Sequence, residues 1–188
     1  MGRMGQRLAR AGVHPDAVTL VGLTLGLMAS LAISVGHFLP ALVLVLLSRL
    51  ADGLDGAVAR VRGISDFGGF LDIVADFVFY ALVPLAFVWH DPAANGWAGA
   101  FLLASFYVNG ATFLGFAVLA EKRRMRTNTQ GVKSLYYSAG LLEGSETIAF
   151  FVLICLFPAA FAPLALIFGA LCFFTAGARV LLATRLFR

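Results

Sequence analysis

The chain has 188 residues, 61% of them hydrophobic and only 13% charged, with a mean hydropathy of +0.92 and a formal net charge of +4. That composition lies far outside the range of a soluble globular domain and makes lipid the expected solvent. It leaves room for a single membrane domain over 1–188, with 1–15 as a short juxtamembrane segment, and none for a separate soluble domain.

A helix that crosses the hydrocarbon layer needs about 20 mostly apolar residues. The predicted spans are 16–36, 38–59, 67–89, 97–120, 136–157 and 163–185, an all-α bundle of six transmembrane helices. The first opens at Pro15, which suits position N1, followed by Asp16 in an acidic first turn. It is long and has no small-residue cleavage pattern, so it reads as a retained helix rather than a signal peptide. Gly22 and Gly26 give it a small-residue face for close helix contact, as Gly140 and Gly144 do for the fifth span.

Gly36, His37 and Pro40 break the chain before the second span, whose far end carries Arg49, Asp52, Asp55 and Arg60. A polar link over 60–66 leads to the third span, which holds Asp72 and Asp76 near its start; Asp66, directly before it, is the expected N-cap. Pro92 within 91–96 marks the next turn. The fourth span ends in a basic link over 121–134 with Lys122, Arg123, Arg124, Arg126 and Lys133. The fifth carries Glu143 and Glu146, Pro158 and Pro163 mark the last turn, and the sixth span closes the chain. Cys155 and Cys172 lie in apolar spans without metal-ligand spacing and are expected as lipid-facing or core residues, with no disulfide.

The basic residues all fall on one side of this arrangement. They precede the first span, lie by the 60–66 and 121–134 links, and close the chain at Arg179, Arg185 and Arg188, whereas the three opposite links contain no Lys or Arg. By the positive-inside rule both termini and both polar links are cytoplasmic. So placed, the positive charge suits an anionic membrane surface and phosphate ligands rather than nucleic acid.

Carboxylates in this setting need a reason, because an Asp at a helix centre costs roughly 2.5–3.5 kcal/mol on insertion scales. Asp52 and Asp55 are three apart and Asp72 and Asp76 four apart, so each pair shares one helix face. The two helices are antiparallel neighbours, and four carboxylates are expected to converge at one depth. Divalent cations would relieve their repulsion; an oxygen-only ligand set favours Mg²⁺, Mn²⁺ or Ca²⁺ over zinc, with room for two ions bridged by phosphate. Gly56 and Ala59 let a ligand approach the backbone, and Arg60 offers a fork for phosphate. Together these residues read as a nucleotide diphosphate site. The plain alternative is charge balance of the acids by Arg49, Arg60 and Arg62.

The run from Asp52 through Asp55, Gly56, Ala59 and Arg60 to Gly68, Asp72 and Asp76 resembles the signature of the CDP-alcohol phosphotransferase family, also called CDP-alcohol phosphatidyltransferases. That pattern is Asp, two residues, Asp-Gly, two residues, Ala-Arg, a spacer, Gly, three residues, Asp, three residues, Asp. The chain departs from it once: seven residues separate Arg60 from Gly68, one fewer than the commonest spacer. His14 to Thr19 also resembles the family's entry to its first span, with Asp16 where Asn is usual. Asp16 is thus open to two roles, a helix start or a contact to the donor's cytidine.

The resemblance implies a transferase of phospholipid biosynthesis in a bacterial inner membrane, with its site at the cytoplasmic face. It would move a phosphatidyl group from a CDP-lipid such as CDP-diacylglycerol to an alcohol acceptor, releasing CMP. Asp52, Asp55 and Asp72 would hold Mg²⁺ or Mn²⁺, two ions, with Asp76 shared between metal contact and general base. Gly56, Ala59, Arg60 and Gly68 would bind the CDP moiety, and the enzyme would be a homodimer. Lys133, Glu143 and Glu146 are the expected acceptor pocket; the basic link serves equally to hold anionic lipid heads, and the two glutamates to pair with Arg179. A membrane prenyltransferase and a small cation transporter are the alternatives, the first because it also pairs aspartate-rich motifs with a lipid diphosphate, the second because intramembrane acids bind cations in transit.

Overall fold

The computed structural model describes residues 2–123 and 144–187, and these are helical with no strand among them. Seven α-helices follow one another: α1 Gly2–Arg10, α2 Pro15–Ser34, α3 Phe38–Arg62, α4 Asp66–His90, α5 Pro92–Lys122, α6 Gly144–Leu156 and α7 Phe161–Phe187, with a 3₁₀ turn at Pro158–Ala160 before α7. Four segments, Pro15–Ser34, Asp66–His90, Pro92–Lys122 and Pro158–Phe187, are long and apolar enough to cross a membrane. The remaining two predicted spans fall on α3, which carries the charged residues of the motif, and on α6, whose described part has 13 residues.

Prolines and glycines set the boundaries. Pro15 and Pro92 stand in the first turns of α2 and α5, where a missing N–H costs nothing. Asp91 caps α5 by accepting from the Ala94 N–H at 3.0 Å, so that helix starts a turn before the predicted 97. At the end of α2, Gly36 takes φ 83°, the Gly36 N–H bonds to Ile33 O and the His37 N–H to Ala32 O, a Schellman closure that absorbs two terminal carbonyls. The segment expected only to lead into the first span instead forms helix α1. A Cβ at Gly5 would come within 2.6 Å of the Ala57 Cβ, so α1 lies directly on α3.

α2 packs against α3 and α4, and α5 against α7. Gly22 lies against Ala51 and the Ser48 carbonyl, and Gly26 against the Phe79 ring, so this glycine face is used within the chain. The core is aromatic: Phe87 stacks on Phe161 with centroids 4.7 Å apart, Phe150 on Phe168 at 4.3 Å, and Phe79 meets Phe151 edge-on. Each such pair adds about 0.5–1.5 kcal/mol beyond its area. Cys155 and Cys172 are free thiols in this core. Apolar side chains also cover the outside, among them Leu31, Ile64 and Phe174, and Trp89 and Trp97 flank the Asp91 turn as interfacial aromatics do.

Candidate active site

The site forms where α3 ends and α4 begins. Gly63, at φ 113°, turns the chain out of α3, and three residues later α4 has started. The cap of α4 is Ser65, whose Oγ accepts from the Gly68 N–H at 3.0 Å. This corrects the expectation for Asp66, which lies one residue inside the helix. Both residue types favour N-caps, and the three-residue turn brings the serine into register. A Cβ at Gly68 would meet Ser65 Oγ at 3.0 Å and Asp16 Oδ1 at 3.2 Å, whereas Gly69 has nothing within 4 Å. Asp16, in the first turn of α2 and 3.4 Å from His14 Nδ1, is thereby carried to the entry of α4.

The short link holds the acidic faces of α3 and α4 together. Asp52, Asp55 and Asp72 each place one carboxylate oxygen within 4.8 Å of the others. Asp55 is buried, and its Oδ2 accepts from Thr19 Oγ1 on α2 at 2.6 Å. Three carboxylates this close repel one another strongly away from bulk water, and oxygen ligands at this spacing fit a hard divalent cation. The donor set therefore suits the metal that the sequence calls for.

Asp76 is handled differently. Its Oδ1 accepts from Arg49 Nη1 at 2.7 Å, and the same nitrogen lies 3.5 Å from Asp52 Oδ1. The Arg49 guanidinium sits 4.1 Å above the Phe79 ring centroid, and its Nη2 donates to Ser48 Oγ at 3.2 Å. Of the three arginines considered as charge balance, Arg49 therefore pairs with two of the acids. Arg60 is exposed and folds back toward Gly56, where a Cβ would lie 3.4 Å from its Nη1. Arg62 donates to the Val13 carbonyl at 3.0 Å and tethers the α1–α2 connection.

Beyond Asp76 opens a cavity of about 560 Å³ among α4, α5, α6 and α7, lined by Tyr80, Phe106, Asn109, Thr147 and Arg179 among others. Asp76 is on its wall; Asp52, Asp55 and Asp72 are not. Arg179 donates to Asn109 O at 3.1 Å, Asn109 Oδ1 at 2.9 Å and Thr112 Oγ1 at 2.9 Å, joining α7 to α5. Of the expected acceptor residues, Lys133 and Glu143 lie outside the described residues. Glu146 is exposed and accepts from Ser145 Oγ at 3.1 Å, while its neighbours Gly144 and Thr147 line the cavity.

The family model for CDP-alcohol phosphatidyltransferases matches residues 12–183, which takes in every part of this site. The chain belongs to that family. As a CDP-alcohol phosphatidyltransferase it is an enzyme that transfers a substituted phosphate group, in phospholipid biosynthesis, and the prenyltransferase and transporter alternatives fall away. It is 52% identical over 173 residues to the inner membrane protein YnjF of Escherichia coli, covering 92% of this chain and 84% of that one. It is 31% identical to the phosphatidylinositol phosphate synthase of Mycobacteroides abscessus over 77% of this chain and 63% of the relative. The fold is similar to that of the Mycobacterium tuberculosis phosphatidylinositol phosphate synthase solved with CDP-DAG bound, with a TM-score of 0.74 at 22% identity over 95% of this chain and 90% of that one. The four long apolar segments and the named inner membrane relative make this an integral membrane protein.

Sequence reasoning reaches two residues of the site only in part. The sequence offers Arg49 only as charge balance, which its pairs with Asp52 and Asp76 bear out; its choice of Asp76 as the closer partner is not legible there. Thr19 was read only as part of the resemblance. Nothing in its own neighbourhood announces a partner 36 positions away.

Proposed function

We propose that this enzyme transfers a phosphatidyl group from a CDP-lipid such as CDP-diacylglycerol to an alcohol acceptor at the cytoplasmic face of a bacterial inner membrane. The observation that carries the reading is the convergence of Asp52, Asp55 and Asp72 within 4.8 Å, with Asp76 beside them on the wall of a cavity. The proposed topology has six spans, with α3 and the predicted 136–157 segment joining the four long ones, and both termini cytoplasmic. The distribution of Lys and Arg supports it. Residues 1–188 form one domain, the working unit is a homodimer, and no nucleic acid takes part.

Asp52, Asp55 and Asp72 would hold Mg²⁺ or Mn²⁺, as two ions, with Asp76 at their edge. The bound metal would neutralise charge on the donor's pyrophosphate and on the departing CMP. Gly56 and Ala59 leave the α3 backbone open to the nucleotide, Arg60 offers its guanidinium to phosphate, and Gly68 keeps the α4 entry clear. Asp76 takes the proton of the acceptor hydroxyl, and the oxygen attacks the phosphorus on the lipid side of the pyrophosphate. The bond between the two phosphates breaks, and CMP leaves with the electron pair. Lys133, Glu143 and Glu146 are assigned to the acceptor side.

The test is purified protein with CDP-diacylglycerol and separate acceptors, namely glycerol 3-phosphate, inositol, inositol phosphate and serine, with lipid products read by mass and CMP release by chromatography. Metal-dependent CMP release together with one new phospholipid is the expected result. Wild-type turnover in Asp76→Asn would overturn the assignment of the base.

A further inference from the structure

The geometry points to Arg49 as a positioning residue for Asp76, fixing one carboxylate oxygen so that the other faces the cavity through which the acceptor arrives. The inference rests on the reading of Asp76 as the base and adds to it the group that aims it.

The guanidinium is held by its face and through Nη2. Its face lies on Phe79, a core ring that is 1% exposed. One edge nitrogen, Nη2, is held by Ser48 Oγ, and that hydroxyl in turn donates to the Gly22 carbonyl at 2.8 Å. Three helices thus set the plane: α2 through Gly22, α3 through Ser48 and α4 through Phe79. Of the other two nitrogens, the buried Nε has no hydrogen-bond partner among the described residues, and Nη1 meets Asp76 Oδ1 at 2.7 Å and stands 3.5 Å from Asp52 Oδ1.

The Arg49 side chain is 10% exposed against 31% for Asp76, so the cation is buried behind the acid rather than in competition with a ligand in front of it. A charge-assisted bond to Oδ1 alone fixes the carboxylate's rotation and leaves Oδ2 as the oxygen for proton transfer. Asp76 is the one of the four aspartates on the cavity wall. A base held at a fixed angle to an arriving hydroxyl contributes by orientation, since proton transfer needs hydrogen-bond reach at the reacting atom. Lysine carries the same charge but has neither the planar face for Phe79 nor a second nitrogen for Ser48, so it restores the charge without the aim.

Arg49→Gln, Arg49→Lys and Asp76→Asn are compared with the native enzyme. Turnover is measured with whichever of glycerol 3-phosphate, inositol, inositol phosphate or serine gives lipid product, and Mn²⁺ affinity of the protein by electron paramagnetic resonance. For Arg49→Gln, kcat is expected to fall by about 10–100-fold, the usual cost of losing an orienting partner. KM for CDP-diacylglycerol and Mn²⁺ affinity change far less than kcat does, and Arg49→Lys, with the charge but not the planar fork, recovers only part of the loss. Native kcat in both Arg49 variants beside an inactive Asp76→Asn overturns the inference and leaves the base in place; native kcat in Asp76→Asn overturns both. A loss of Mn²⁺ affinity in Arg49→Gln as large as its loss of kcat assigns Arg49 to the metal site and overturns the positioning role. If Arg49→Gln does not fold, Arg49→Lys decides: lowered kcat at a native melting temperature supports the inference, and native kcat overturns it.

Discussion

Thr19 on α2 donates its hydroxyl to Asp55 on α3 at 2.6 Å, and both residues are buried. The bond occupies Oδ2 of a carboxylate that shares its cluster with Asp52 and Asp72. A third helix thereby orients a ligand carried by the α3–α4 pair. Partners that orient metal ligands in this way typically account for about 10–100-fold in affinity or activity. Thr19→Val keeps the shape and removes the donor, so Mn²⁺ affinity is expected to fall within that range while the melting temperature of the metal-free protein changes little. Calorimetric titration of the purified variant checks it.

Metal removal is expected to abolish CMP release. Chelation of the native enzyme followed by Mg²⁺ or Mn²⁺ restores it, and Zn²⁺ restores far less, because three carboxylates supply only hard oxygen ligands. Asp72→Asn removes one of them and is not rescued by added Mg²⁺ at the native optimum. A CMP-release assay across a metal series reads both results.

Gly26 lies under the ring that supports Arg49. A Cβ there would stand 2.7 Å from Phe79 Cδ2, too close for any core contact, so Gly26→Ala forces the ring aside. Overpacking of this kind costs about 1–3 kcal/mol. A lowered melting temperature is expected together with a loss of turnover, because the displaced ring carries the guanidinium facing Asp76.

Gly5 seats α1 on α3. Gly5→Leu places a large side chain where the Ala57 Cβ is already within 2.6 Å of a built Cβ. A penalty of about 1.4 kcal/mol makes the undocked state about ten times more populated. Trypsin is then expected to cleave after Arg7 and Arg10 correspondingly faster than in the native protein, as timed by mass spectrometry.

The helices were legible because an apolar span is a local property, set by transfer energies that add along the chain. Hence α2, α4 and α7 fall within a few residues of 16–36, 67–89 and 163–185. The misses have physical causes. α5 starts a turn before the expected 97 because Asp91 and Pro92, whose chemistry marks a turn, act as cap and first residue of the helix. The nine residues of α1 are too few to make a stable helix alone, and its docking through Gly5 depends on α3. Ser65 and Asp66 are adjacent residues of equal capping chemistry, and the turn at Gly63 chose between them.

The sequence by itself determined that the chain lives in lipid, that its costly acids fall on two neighbouring helix ends, and that the motif they form is that of a CDP-alcohol phosphatidyltransferase. Those conclusions follow from spacing within short stretches and from the expense of a charge in an apolar helix. Only the tertiary structure divided the four aspartates into a cluster of three and a fourth held by Arg49, and only it brought Thr19 to Asp55. Which oxygen meets which donor depends on how α2, α3 and α4 interlock around Gly22, Gly26 and Phe79, and residues 27 and 36 positions apart carry no local trace of that packing.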